Sequence, residues 1–261
     1  MAELHVNGVR LHVQRLGRAG ALPRVVFVHG LVMDNLSSWY FTVANAAAGV
    51  VDVLLYDLRG HGRSERPATR YRVADHVADL AALLDQTWGD EPVCLVGNSF
   101  GALLCLAFCR DHPRRVAGLV LVDGHLGTDG FGEAMSATLS LRGDAAHLKI
   151  AESFQSWLGR HSERKRSRLA EDARTLVEDT TLVADLRETP TLTSADLEHV
   201  TAPVLALYGE RSDLITTSLP VLARLPHGHV VVLPGCTHSI LWEATEAVRD
   251  HIVRFCRERA P

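Results

Sequence analysis

The run Val93-Cys94-Leu95-Val96-Gly97-Asn98-Ser99-Phe100-Gly101-Ala102-Leu103-Leu104 sets a serine inside Gly-x-Ser-x-Gly, between an apolar strand-forming stretch and a helix-forming one. A chain that turns so sharply from strand into helix strains the residue at the turn, and Gly97 and Gly101 stand where a Cβ would collide with neighbouring backbone. Ser99 is thereby exposed at the C-terminal end of its strand, in the position of a nucleophile. A serine hydroxyl is almost wholly protonated at neutral pH, so attack requires a base that accepts its proton. Chance alone produces such a pentapeptide fairly often, and the strand before it and the helix after it carry more weight than the five residues themselves.

Two downstream segments offer the partners. Val204-Leu205-Ala206-Leu207-Tyr208-Gly209-Glu210-Arg211-Ser212-Asp213 is an apolar strand that ends in a glycine turn with a carboxylate just beyond it, which makes Asp213 the first candidate to orient a base. Val230-Val231-Val232-Leu233-Pro234-Gly235-Cys236-Thr237-His238 is a second strand running into a loop of small residues, with a histidine immediately before a helix. His238 is the candidate base. A serine, an imidazole and a carboxylate in this relation move one proton from hydroxyl to ring while the carboxylate fixes the ring's tautomer.

Residues so far apart in the chain meet only if the elements between them bring their ends together. Leu4-His5-Val6 and Val9-Arg10-Leu11-His12-Val13 flank Asn7-Gly8, a pair suited to the two positive φ angles of a tight hairpin, and read as antiparallel edge strands. Apolar strands are expected near 24–28, 52–56, 92–96, 117–122, 203–208 and 229–233. Helical stretches near 37–47, 73–87, 100–112, 214–225 and 239–258 alternate with them, which predicts crossover connections and a mostly parallel sheet covered on both faces. In such a sheet the loops at the C-terminal strand ends gather above one rim. Leu31, Ser99, Asp213 and His238 all fall at such ends. The alternation lapses between Gly124 and Val200, where Phe131, Met135 and Leu139, then Phe154, Trp157 and Leu158, recur near helical spacing.

These motifs, in this order, resemble the α/β-hydrolase superfamily over nearly the whole chain outside its middle. Val25-Val26-Phe27-Val28-His29-Gly30-Leu31 is similar to the family's strand and His-Gly oxyanion loop, and Asp57-Leu58-Arg59-Gly60-His61-Gly62-Arg63-Ser64 to its glycine-rich loop after the next strand. The order Ser, Asp, His along the chain is also the family's. The resemblance implies an α/β-hydrolase fold: a core formed by residues 1–123 and 201–261, antiparallel N-terminal strands on a mostly parallel sheet, and a helical cap inserted at 124–200. It assigns the oxyanion donors to the backbone N–H groups of Leu31 and Phe100. It also leaves a second place for the acid, since some members supply it from the end of the preceding strand, here Asp123 after Leu119-Val120-Leu121-Val122. Asp213 is preferred on motif position. His29 is expected to brace the oxyanion loop, and Arg59 and His61 to stabilise theirs.

The implied activity is hydrolysis of a carboxylic ester or thioester through an acyl-enzyme, with thioesterase as the preferred subclass and with no metal or organic cofactor. Acyl transfer and hydrolysis of a carbon–carbon bond beside a ketone can reuse the same site, and a ligand receptor with negligible turnover is the alternative outside catalysis. A serine at the elbow argues against the family's epoxide hydrolases and haloalkane dehalogenases, whose attacking group there is a carboxylate. Trp39, Asp34, Phe131, Met135, Phe154, Trp157 and Trp242 are candidates for the entrance or for an acyl pocket. Arg160-His161-Ser162-Glu163-Arg164-Lys165-Arg166-Ser167-Arg168 concentrates positive charge within the expected cap. It is a candidate docking face for an acidic acyl carrier protein, against the plainer reading of a solvated helix face.

Composition bounds these readings. With 261 residues, 47% of them hydrophobic, one large core is within reach. A net charge of -4 gives no general attraction to phosphate backbones, and no nucleic-acid-binding motif occurs, so nucleic acid is not an expected partner. The first residues are acidic and polar where a secretory leader is basic and then apolar, and no apolar run reaches membrane-spanning length, which predicts a cytoplasmic protein. Five cysteines without paired spacing point to free thiols, with Cys236, two residues before His238, expected to pack in its loop.

Overall fold

The computed structural model describes residues 2–17, 20, 23–141 and 163–258. Its centre is an eight-stranded sheet of order β1-β2-β4-β3-β5-β6-β7-β8. The strands are β1 (Ala2–Val6), β2 (Val9–Leu16), β3 (Arg24–Val28), β4 (Asp52–Tyr56), β5 (Val93–Asn98), β6 (Val116–Val122), β7 (Val204–Gly209) and β8 (Gly228–Leu233). β1 pairs antiparallel with β2 and β2 with β4, and every later pairing is parallel. The hairpin read at Asn7-Gly8 is present, both residues having positive φ (47° and 77°). This is the α/β-hydrolase fold.

The period of two along each strand divides the interior into two halves. Val26, Val28, Leu54, Tyr56, Leu95, Leu119, Leu121, Ala206 and Tyr208 face one side. There they meet α3 (Val73–Thr87) and α4 (Phe100–Asp111). Val25, Phe27, Val53, Leu55, Cys94, Val96, Val120, Val122, Leu205 and Leu207 face the other. On that side lie α1 (Ser37–Trp39), a π-helical turn at Tyr40–Ala44, α2 (Asn45–Ala47), α10 (Ile240–Glu243) and α11 (Thr245–Arg257). α4 is buried along Phe100–Cys109 without a polar face, because it lies between the sheet and α3. The last helical stretch is broken at Ala244, whose φ of -128° separates α10 from α11.

Between β6 and β7 the described residues form helices: α5 (Phe131–Leu139), α6 (Glu163–Glu178), α7 (Leu182–Arg187) and α8 (Ser194–Glu198). α9 (Leu214–Leu222) follows β7. α6 reaches back over the sheet's C-terminal rim, where Leu169 packs with Met33 and, beside them, Val32 and Trp242. Phe154, Trp157 and Leu158, read as helical from their spacing, lie outside the described residues. No described helix is long and apolar enough to cross a membrane. None of the five cysteines is in a disulfide.

One buried ion pair anchors the glycine-rich loop after β4. Arg59 donates through Nε and Nη2 to the two oxygens of Asp79 on α3, at 2.7 and 2.6 Å, and both side chains are 2% exposed. Asn7 adds a third hydrogen bond to that carboxylate, at 2.9 Å. Burial pushes the Asp79 carboxyl up, an effect the guanidinium offsets only in part. The loop-stabilising role read for Arg59 is the one its contacts describe.

Candidate active site

Ser99 joins β5 to α4 with φ 54° and ψ -116°, a conformation that costs a residue bearing a Cβ of order 1–3 kcal/mol and persists only where its surroundings enforce it. The flanking glycines enforce it. A Cβ on Gly97 would stand 2.4 Å from the carbonyl oxygen of Gly101, and one on Gly101 would stand 2.3 Å from that of Val28. Ser99 N–H also donates to Val122 O on the neighbouring β6, at 3.0 Å, which ties the turn to the sheet.

His238, in the loop between β8 and α10, places Nε2 3.1 Å from Ser99 Oγ. Its Nδ1 lies 3.0 Å from Oδ1 of Asp123. The structure therefore corrects the expectation for the acid: Asp123, at the end of β6, occupies the position assigned to Asp213. Asp123 is fully buried, with φ 43° turning its side chain across the strand ends. Its carboxylate also accepts from Gly209 N–H at 2.8 Å and from Ser212 Oγ at 2.5 Å. Asp213 is displaced by a single residue of register. The turn after β7 closes with Ser212 N–H on Gly209 O at 3.1 Å, so that Ser212 points inward and is buried, while Asp213 begins α9 as an exposed residue. A Cβ on Gly209 would meet Thr237 O at 2.3 Å, so glycine is required where β7 passes under the histidine loop.

Phe100 follows the serine directly, and Gly30, next to Leu31, comes close to it: a Cβ there would stand 3.5 Å from Ser99 Cβ. Phe100 is the first residue of α4, and its N–H has no acceptor within its own helix. The loop carrying Leu31 is held from below by three side chains. Asp34 Oδ2 accepts Gly30 N–H at 2.7 Å, and its Oδ1 accepts Asn35 N–H at 2.8 Å and the Ser38 hydroxyl. His29 contacts Gly30 O through Nδ1 at 2.7 Å and accepts Leu58 N–H at Nε2, at 2.9 Å. His61 contacts Arg59 O through Nδ1 at 2.8 Å and accepts Val32 N–H at Nε2, at 2.8 Å. An Nε2 that accepts is unprotonated, so each ring is neutral with its proton on Nδ1. His29 and His61 are thus bracing groups, as expected.

Burial, with His29 beside it, lowers His61 to about 3. In the unfolded chain it titrates near 6.5, so between these values the unfolded state binds a proton that the native state refuses. The stabilisation is complete above pH 6.5 and declines as pH falls toward 3. Wild-type protein is expected to lose about 2 kcal/mol more of its unfolding free energy between pH 7.5 and pH 5.0 than His61→Gln does. Urea titrations at the two pH values read the difference, and equal losses would refute it.

Other candidates take plainer places. Trp39 is core, its Nε1 donating to Val28 O at 3.1 Å. Cys236 contributes a thiol contact to Pro234 O at 3.5 Å, and burial raises its pKa. Met135 and Trp242 are half-buried, and Phe154 and Trp157 fall outside the described residues. Of the basic run, residues 160–162 and the side chains of Lys165 and Arg166 also fall outside them. Arg164 and Arg168 are exposed, and Arg168 stands 3.9 Å from Asp172, which offsets its charge. A polar cavity of about 330 Å³ lined by Thr69, Arg70, Arg72, Asp75, Thr181 and Asp185 includes none of Ser99, Asp123 and His238. Among the described residues no group of three His, Cys, Asp or Glu side chains could hold a metal ion.

Sequence reasoning missed Ser212, Gly209 and His125, and read Asp34 as an entrance residue where its contacts make it a brace of the Gly30 loop. The first two lie in a turn whose direction depends on one residue of register. Asp34 carried only its place four residues beyond Gly30, and His125 only its place two residues beyond Asp123.

Comparison with known proteins agrees with this fold. Residues 25–251 match the model described as "Alpha/beta hydrolase family". Lipase LipV of Mycobacterium tuberculosis is 38% identical over 122 residues, which cover 47% of this chain and 44% of that protein. Epoxide hydrolase 2 of Siraitia grosvenorii is 33% identical over 124 residues, covering 47% of this chain and 38% of that protein. The chain thus spans less than half the length of these curated relatives. 2-(Acetamidomethylene)succinate hydrolase of Mesorhizobium japonicum is 27% identical, with 96% of this chain and 92% of that protein covered. Among solved structures, the enol-lactonase from Burkholderia xenovorans superposes with a TM-score of 0.76 at 22% identity, covering 97% of this chain and 99% of that one. With the matched residues running from β3 into the last helix, the chain belongs to the alpha/beta hydrolase family.

Proposed function

We propose that the protein is a serine hydrolase that cleaves a carboxylic ester or thioester through an acyl-enzyme, with Ser99, His238 and Asp123 as its triad and residues 124–200 as a cap over the site. The observation that carries this reading is the pair of contacts on one ring, Ser99 Oγ at 3.1 Å and Asp123 Oδ1 at 3.0 Å. Asp123 accepts a hydrogen bond from Nδ1–H of His238, which keeps Nε2 unprotonated and able to take the Ser99 proton as Oγ attacks the acyl carbon. The negative oxygen that develops is received by the N–H groups of Phe100 and Leu31, each worth about 3 kcal/mol when already aimed at it. His238 then protonates the leaving alcohol or thiol. In the second half it draws a proton from water, which attacks the acyl carbon, releases the acid and restores the serine.

A serine at the elbow, where an epoxide hydrolase of this fold carries a carboxylate, separates this chain from that named relative. The hydrolase similar over nearly its whole length supports hydrolytic chemistry in a protein of this size. The test is a rate survey over p-nitrophenyl esters and acyl thioesters of graded chain length, with product analysis in the presence of added alcohols, alongside labelling by a fluorophosphonate. Burst release of nitrophenol or thiol and a label on Ser99 are expected. A retained thiol preference would select the thioesterase subclass, and alcohol-trapped products would select acyl transfer. Absence of label and turnover would reject the proposal in favour of a receptor.

A further inference from the structure

Beside the triad stands a second histidine that the mechanism leaves unused. His125 follows Asp123 by two residues, and its backbone N–H donates to Ser99 O at 3.2 Å, fixing it against the nucleophile's own turn. Its ring centroid lies 6.1 Å from that of His238 and 4.8 Å from that of Phe131, the first residue of α5. The ring is half-buried, and among the described residues neither of its nitrogens has a hydrogen-bond partner in the protein. By contrast, His29, His61 and His238 all have both ring nitrogens engaged. An imidazole held in place by Phe131 on one side and by the elbow on the other, with its polar atoms unspent, is arranged to meet something from solution.

We propose that His125 is a specificity residue of this site, whose imidazole hydrogen-bonds a hydroxyl or carbonyl oxygen carried by the substrate near its scissile bond. The inference rests on the serine-hydrolase reading and adds the substrate class to it: oxygenated acyl compounds rather than plain hydrocarbon chains. Two features set the kind of group. Burial and the neighbouring His238 lower His125 to about 3, so at neutral pH it offers one donor and one acceptor without charge. The charge of Asp213 is felt at the same ring, from its exposed position at the start of α9. A second carboxylate brought by the substrate would face Asp213 unneutralised, so an uncharged oxygen fits where an anion does not.

The experiment compares kcat/KM for p-nitrophenyl butanoate, 3-hydroxybutanoate, 3-oxobutanoate and the monoester of succinate in wild type, His125→Phe and His125→Gln. Phenylalanine keeps the ring contact with Phe131 and removes the polar atoms; glutamine restores a donor and an acceptor. The ratio of the hydroxy or oxo ester to butanoate is expected above one in wild type, about tenfold lower in His125→Phe through KM, and partly recovered in His125→Gln. The succinate monoester is expected to be the poorest of the four. A ratio unchanged in His125→Phe, or at or below one in wild type for both oxygenated esters, overturns the role of His125. Fluorophosphonate labelling of Ser99 is scored in the same samples. Labelled protein with an unchanged ratio rejects His125 alone, whereas unlabelled wild type rejects the serine-hydrolase reading on which it depends.

Discussion

Ser99→Ala and His238→Ala are each expected to lower kcat by about 10⁶-fold, and the double variant to lose little more than either single one. In the proposed mechanism the oxygen and the ring nitrogen 3.1 Å away act as one unit, because neither does anything useful without the other. Without the ring, the hydroxyl keeps its proton; without the hydroxyl, the ring has no nucleophile to activate. What survives comes from binding and from the backbone donors, a residue of about 10³–10⁴ over water. Single-turnover measurements at saturating ester, with the folded state checked by urea titration, give the comparison. Losses that multiplied in the double variant would mean that the two groups work in separate steps.

The second expectation separates the two carboxylates. Asp123→Asn is expected to lower kcat by about 10⁴-fold, while Asp213→Asn stays within about threefold on an unsubstituted ester. Asparagine keeps the shape of the side chain, but an amide N–H facing Nδ1 favours the wrong tautomer and moves the ring's proton to the nitrogen that must accept from Ser99. Gly209 N–H, aimed at Oδ2, holds the remaining oxygen and so fixes which way the amide turns, whereas the Ser212 hydroxyl shares Oδ1 with His238. Steady-state rates on p-nitrophenyl butanoate test the pair. Equal losses, or a greater one at Asp213, would remove Asp123 from the triad.

That reversal marks where the sequence stopped being informative. Alternating apolar runs and crossover helices placed six strands to within a residue or two, because burial on both faces of a parallel sheet leaves little choice of residue type. Ser99 and His238 were legible for the same reason: each sits at a strand end with small residues around it. The acid was not, since Asp123 and Asp213 both end apolar strands and differ only in which way the backbone turns next. A φ of 43° at Asp123 and an inward Ser212 decide it, and both depend on contacts between strands distant in the chain. His125 escaped notice because a histidine after a strand has no local signature, and its meaning comes from the ring of His238 beside it. The helix at 239–258 was drawn unbroken because nothing in the composition near Ala244 marks a stop.

Arg59 touches Asp79 with its guanidinium, and its carbonyl oxygen meets His61, which in turn accepts the N–H of Val32. The rim around the nucleophile is therefore bolted to the molecule's interior through a short series of uncharged and ion-paired links. Among the described residues, the segment between β6 and β7 meets that rim through the apolar pair Met33 and Leu169, and its polar ties to the core lie elsewhere, as where Asp185 accepts Tyr71 N–H at 2.8 Å. Mutational freedom is divided accordingly. Changes at the Met33–Leu169 contact touch one apolar pair, whereas a change to the loop around Leu31 must carry the keel of the protein with it.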